Sequence, residues 1–321
     1  MSKLRGFGIN IDINHFNDAS FQKKVTALKQ LKVQWVRIEI DHDKYASLQN
    51  RLRLQRFCAL CFQNDIQVTG LLTQFIPLTF RNLFFSHDSF TPIIKQMDAY
   101  TIFVREIVML LKEYIAFWEL WNEQNSKRFW VDSPSPKEYV SFVTTISNII
   151  YDVDPSAQLI FGGVFGNDVS PLYPFVPKKI LIHQKYIQEC ITLGINKYID
   201  LYAFHPYSRK CYFSLSTSAA IFTSIKKNIQ ETKNVYKDIP IIITEIGVSP
   251  VLNPRLGPYD IACIYKELID YGEEIGIPVC LYILADQHSK HYSRFNPDRD
   301  FGFLDYQLNP KPLFYEFLKL L

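Results

Sequence analysis

Eight short apolar runs, at residues 7–11, 35–40, 66–72, 117–121, 159–163, 201–204, 241–244 and 279–283, recur along the whole chain. Each is rich in β-branched and aromatic residues and too short for a helix. Most lack the in-and-out alternation of a strand with one wet face. Near-continuous apolarity is what parallel strands covered on both faces require.

Helical patterns separate the runs. Phe21, Val25 and Leu28 form one apolar stripe, and Met97, Tyr100, Thr101, Val104, Val108 and Leu111 form another. Asp154-Pro155, the Asp-Ile-Pro at 238–240 and the Gly-Ile-Pro at 276–278 punctuate the returns into strands. Strand alternating with helix eight times predicts a closed (β/α)8 barrel, and a single domain over 1–321, because no linker or low-complexity segment divides the chain. No G-x-G-x-x-G follows the first run, which argues against a dinucleotide-binding sheet.

Three connections are long for a barrel, at roughly 73–92, 163–185 and 284–304. They follow strands 3, 5 and 8 at their C-terminal ends, the face on which such barrels build their sites.

Composition narrows the function classes. The chain has 321 residues, 48% apolar, with a formal net charge of +3. That scattered, mild positive balance predicts no nucleic-acid partner. No apolar run approaches a membrane span, and the N-terminus has no leader-like core. A cytoplasmic protein, monomeric and not bound to membrane, is the expectation. Six cysteines include a C-x-x-C at Cys58 and Cys61. Leu54, Phe57, Cys58 and Cys61 share helical spacing, so these thiols are expected in the core rather than on zinc. All six are read as free core thiols.

The strand tips carry the chemistry. The fourth run leads into Trp121-Asn122-Glu123, and the seventh into Thr244-Glu245. The two glutamates lie 122 residues apart, or about 41 per unit over three strand–helix units, against about 40 for the whole chain divided by eight. Both carboxylates therefore stand at equivalent positions on a barrel's upper face. Glycoside cleavage needs such a pair, one group to protonate the leaving oxygen and one to attack the anomeric carbon. For either Glu alone, a loop-edge salt bridge with Arg37 or a helix cap is an equally natural reading.

These residues resemble glycoside hydrolase clan A, and within it family 39. Asn122-Glu123 is similar to the clan's acid/base motif on strand four, and Thr244-Glu245 to its strand-seven nucleophile motif. Val36-Arg37-Ile38 resembles its strand-two arginine, and Phe204-His-Pro-Tyr207 its strand-six tip. Phe301-Gly-Phe-Leu-Asp-Tyr followed by Asn309-Pro-Lys-Pro312 is similar to its close.

The resemblance implies a retaining glycosidase acting on an oligo- or polysaccharide, with Glu123 as acid/base and Glu245 as nucleophile. Asn122 would bind the sugar 2-hydroxyl, Arg37 would keep Glu245 ionised, and Tyr207 would orient it, with His205 either near the nucleophile or a buried, satisfied histidine under the site. Gln124 departs from the clan's usual Pro. The eighth run lacks the clan's sugar-floor Trp, leaving Tyr282, Trp121 or Trp130 as stacking surfaces. That departure keeps open a catalytically weak carbohydrate-binding barrel.

Asn14, His15, Asp41, His42 and Asp286 are further candidates for sugar hydroxyls, with ordinary loop hydrogen bonding as the alternative. The aromatic segment with Phe75, Phe80, Phe84 and Phe85 is either a groove wall or a small satellite core. Asp41, His42, Asp286, Gln287, His288 and His291 have no metal-ligand spacing. No metal and no cofactor is expected.

Overall fold

The computed structural model describes residues 4, 6–13, 17–73, 97–126, 129–130, 133–166, 183–212, 216–236, 239–251, 253–287 and 300–321. Asn14, His15, His288, His291, most of the three long connections and the aromatic segment with Phe75, Phe80, Phe84 and Phe85 lie outside them.

Eight parallel strands close into a barrel in sequence order. They are β1 (Phe7–Ile11), β2 (Trp35–Asp41), β3 (Gln67–Thr73), β4 (Ile115–Asn122), β5 (Gln158–Phe165), β6 (Leu201–His205), β7 (Ile241–Ile246) and β8 (Val279–Leu281). Every predicted run is a strand. Six of them run one to two residues further at the C-terminal end, so Asn122, His205 and Glu245 are strand residues rather than loop residues.

The helices are α1 (Asp18–Gln30), α2 (Leu48–Phe62), α3 (Met97–Leu111), α4 (Pro136–Val153), α5 (His183–Thr192), α6 (Arg209–Tyr212), α7 (Ser218–Tyr236), α8 (Pro258–Ile275) and α9 (Pro312–Leu318). Local chemistry explains their ends. Asn17, Ser47 and Ser135 accept first-turn N–H groups at α1, α2 and α4. Gly276 closes α8 in the left-handed conformation. Leu54, Phe57, Cys58 and Cys61 are buried on α2 as their spacing predicted. All six cysteines are free, and only Cys263 is not fully buried. Among the described residues no helix is long and apolar enough to cross a membrane.

The core has two parts. The main cluster packs helices on the outside of the sheet. A separate small cluster of Trp35, Phe117, Ile160, Ala203, Ile242 and Cys280, one residue from each of six strands, joins Leu4 to fill the barrel interior. Side chains two residues apart on a strand share a face. Arg37, Glu119, His205 and Thr244 stand two residues beyond Trp35, Phe117, Ala203 and Ile242, which sets a polar layer directly above the apolar plug. All four are buried.

Candidate active site

Arg37 organises the polar layer. Its Nε and Nη2 donate to Glu119 Oε2 and Oε1 at 2.6 and 3.0 Å. The remaining donors reach Asn10 Oδ1 at 3.0 Å, Asn122 Oδ1 at 2.9 Å and Glu245 Oε2 at 3.4 Å. Burial opposes the guanidinium charge, but the Glu119 carboxylate more than offsets it, so Arg37 stays protonated. The sequence reading paired Arg37 with Glu245; its principal partner is Glu119. The missed signal was a carboxylate inside the apolar run 117–121, because a charge in such a strand needs a buried counter-ion.

Local backbone irregularities aim the two candidate glutamates. Trp121 and Glu123 have φ of 78° and 46°, the left-handed region that side chains seldom adopt and that costs about 1–3 kcal/mol per residue. Glu123 N–H donates to Gly163 O at 2.8 Å, and Ser126 N–H to Glu123 O at 2.9 Å, which hold the turn. Gln124, at the position of the clan's usual Pro, donates from Nε2 to Gly162 O at 2.8 Å and pins the same turn. The β5–β6 register shifts between Phe161 and Val164, and the β7–β8 register between Ile243 and Ile246. Such shifts re-aim side chains next to a site.

Here they bring Glu123, His205 and Glu245 together. One carboxylate oxygen from each glutamate and one ring nitrogen of His205 all lie within 4.8 Å of one another. His205 is fully buried, with Nδ1 3.0 Å from Glu123 Oε1 and Nε2 3.1 Å from Thr244 Oγ1. Burial lowers its pKa to about 4, so the ring is neutral at pH 7. Tyr207 donates its hydroxyl to Glu245 Oε1 at 3.1 Å.

Glu245 keeps a side-chain exposure of 16%, the opening through which a ligand would reach it. Burial raises the Glu245 pKa, and Arg37 and Tyr207 pull it back down. Arg37 thus acts in the expected direction, but desolvation decides the net shift.

Other candidates occupy different surroundings. Trp130 is buried edge-on to Trp121, with its Nε1 donating to Glu138. Trp121 is buried too, its Nε1 donating to Phe129 O. Both are core rings here, without an open face for a sugar. Tyr282 is half-buried just past β8, edge-on to Phe301 at 5.4 Å.

Asp286 accepts from Lys311 Nζ at 2.7 and 2.9 Å and from Gly302 N–H at 2.7 Å. It ties the last connection to the C-terminal segment. Asp41 Oδ1 accepts from the N–H groups of Asp43 and Lys44, and His42 Nδ1 lies 2.8 Å from Asp43 Oδ1.

Among the described residues, Glu123, His205 and Glu245 are the one trio able to offer ligand atoms to a common metal ion. Both His205 nitrogens already face hydrogen-bond partners, which a metal would have to displace.

The fold defines a class: a closed eight-stranded parallel barrel with polar residues converging at the C-terminal end of its strands. Solved structures share it over nearly the whole chain. A family 39 glycoside hydrolase from Bacteroides cellulosilyticus WH2 superposes with a TM-score of 0.66 at 16% identity, covering 98% of this chain and 63% of that one. This chain is therefore shorter than that enzyme by about a third.

A GH5_18 structure from Streptomyces cattleya in complex with GlcNAc gives a TM-score of 0.69 at 13% identity, over 98% and 79% of the two chains. A monomeric beta-xylosidase from Caulobacter crescentus CB15 gives 0.67 at 13% identity, over 98% and 67%. No protein-family model and no curated protein matches the sequence. At these identities the shared property is the barrel itself.

Proposed function

We propose that this chain is a retaining glycoside hydrolase that cleaves an oligo- or polysaccharide by double displacement, with Glu123 as acid/base and Glu245 as nucleophile. The observation that carries the reading is the approach of the two carboxylates, within 4.8 Å at their nearest oxygens, at the mouth of the barrel. Retaining enzymes hold the pair about 5–5.5 Å apart, whereas inverting ones leave about 6.5–9.5 Å for a water.

The surroundings support the division of labour. Glu245 faces the Arg37 guanidinium and the Tyr207 hydroxyl, two donors that favour a carboxylate over an acid. Glu123 faces an imidazole whose burial keeps it uncharged.

In the first step Glu245 attacks the anomeric carbon, and the bond to the leaving oxygen breaks as Glu123 gives that oxygen its proton. In the second, water attacks the glycosyl–Glu245 ester and yields a proton to Glu123. Asn122 is bound through Oδ1 to Arg37, which orients its amide as a donor toward the sugar 2-hydroxyl. The solved glycosidases with this barrel, and the strand-tip motifs, favour catalysis over a binding-only barrel.

The test is stereochemical. Proton NMR of aryl glycoside hydrolysis should show first-formed sugar with the substrate's anomeric configuration, and Glu245→Gln should abolish turnover. Inverted product, or unchanged turnover in the variant, refutes the assignment.

A further inference from the structure

Four buried hydrogen bonds link Arg37 to Glu123 in series, and donor counting fixes the direction of each. Glu119 receives two guanidinium donors from Arg37 and the Gly163 N–H at 2.9 Å. A bidentate partner of a guanidinium is ionised and can only accept. The Thr244 hydroxyl, 3.1 Å from Glu119 Oε1, must therefore spend its single proton on Glu119. Thr244 Oγ1 is then left as the acceptor for His205 Nε2 at 3.1 Å, which places the ring proton on Nε2.

A neutral imidazole carries one proton, so His205 Nδ1 is a lone pair. That lone pair sits 3.0 Å from Glu123 Oε1. The contact is a hydrogen bond only if Glu123 supplies the proton. A Glu123 carboxylate in the same place would oppose a lone pair inside a site where burial magnifies the repulsion.

We infer that Thr244 and Glu119 are positioning residues that lock His205 in its Nε2-protonated tautomer, so that Glu123 rests as the protonated acid. The inference rests on the glycosidase reading above and deepens it. Glu123 holds its proton toward His205 at rest and releases it to the leaving oxygen by turning about its last torsion, which is soft. Once the proton has left, the Glu123 anion faces the Nδ1 lone pair. That makes it a stronger base for the proton of the attacking water in the second step. One fixed tautomer thus serves both half-reactions.

The sequence contains the chain in scattered form, at Arg37, Glu119, His205 and Thr244. Gly163 completes it by leaving room. A Cβ there would lie 2.1 Å from His205 Nε2, so the ring can occupy this position only beside a glycine.

Neutron diffraction from deuterated crystals of the unaltered protein reads the proton positions directly. Deuterium is expected on His205 Nε2 and Glu123 Oε1, with the Thr244 hydroxyl aimed at Glu119. Deuterium on His205 Nδ1 facing a bare Glu123 carboxylate overturns the inference.

Thr244→Val, which keeps the shape and removes the hydroxyl, supplies the kinetic arm. His205 is then free to turn its proton to Nδ1 and stabilise the Glu123 anion. The basic limb of the kcat/KM profile for phenyl glycosides should move to lower pH by about one unit, a tenfold loss on that limb. Thr244→Ser should restore the profile, and 2,4-dinitrophenyl glycosides, which need no acid, should be unaffected. An unmoved limb in a folded Thr244→Val protein overturns the inference. The underlying assignment is tested separately by mass spectrometry after 2-deoxy-2-fluoroglycosyl fluoride treatment. Label on a residue other than Glu245 refutes the nucleophile while the neutron result still decides the chain.

Discussion

Arg37 and Glu119 form a bidentate ion pair, 2.6 and 3.0 Å, inside the barrel directly above its apolar plug. Removing one member of a buried pair strands the other charge, which costs about 3–5 kcal/mol. Glu119→Gln should therefore lower unfolding free energy by about that amount in urea titrations. Replacing both members together, as Arg37→Met with Glu119→Leu, should recover part of the loss in stability and none of the activity.

Glu123 is predicted to matter in proportion to the leaving group's need for a proton. Glu123→Gln should slow phenyl glycosides by about 10²–10⁴-fold while leaving the first step of 2,4-dinitrophenyl glycosides nearly intact. Pre-steady-state bursts with the two leaving groups measure this. Equal losses on both would mean that Glu123 serves binding rather than proton transfer.

Tyr207 donates to Glu245 at 3.1 Å, and hydrogen bonds to charged groups contribute about 1.5–3 kcal/mol. Tyr207→Phe should cut kcat/KM by about 10- to 100-fold. The sign of the pH effect follows from which form the hydroxyl stabilises. Losing a donor to the carboxylate raises the Glu245 pKa, so the acid limb of the rate profile should move to higher pH.

Gly163→Ala places a methyl group 2.1 Å from His205 Nε2. The overpacking should cost about 1–3 kcal/mol, visible in thermal melts. Displacing the imidazole from Glu123 should cost more in activity than in stability, with phenyl glycosides hit hardest. Activity that tracks thermal stability alone would remove His205 from the chemistry.

Asp41 gives a pH dependence of stability rather than of rate. Its Oδ2 is buried with no hydrogen-bond partner among the described residues, and burial, followed by the nearby Glu39, raises its pKa from 3.8 to about 7. The folded protein thus binds the Asp41 proton more tightly than the unfolded chain does. Stability from this group is fully present below about pH 4 and declines as pH rises to about 7. Asp41→Asn should melt like the unaltered protein near pH 4 and exceed it above pH 7, by up to about 4 kcal/mol. Parallel melting curves across that range would refute the desolvated Asp41 carboxylate.

The strands and the helices α1, α2 and α3 were legible because burial on both faces forces continuous apolar runs and helical contact forces 3.6-residue stripes. The α2 stripe through Leu54 and Cys61 is one case. Glu123 and Glu245 were legible from their positions at strand tips. Trp130 was misread because an aromatic near a strand tip has the same local pattern whether it lines a groove or packs on Trp121, as it does here. The ion pair of Asp286 was hidden for a similar reason. Its partner Lys311 lies 25 residues on and is identified only by closure of the C-terminal segment.

Glu119 and Gly163 went unmarked, and Thr244 was named only as the neighbour of Glu245, although each touches the polar layer. Their significance depends on which strand edges meet. Strand period alone sets Arg37 on the same face as Trp35 and Thr244 on the same face as Ile242, so the sequence by itself determined a barrel and which residues of a strand share a face. That local code is dictated by backbone geometry and needs no distant partner. Only the tertiary structure decided that Glu119 takes Arg37, that Thr244 meets His205, and that Glu123, past the left-handed Trp121, comes to face Glu245 across the barrel mouth. Hydrogen-bond direction and carboxylate separation are properties of atoms brought together by barrel closure, from strands that are far apart in the chain.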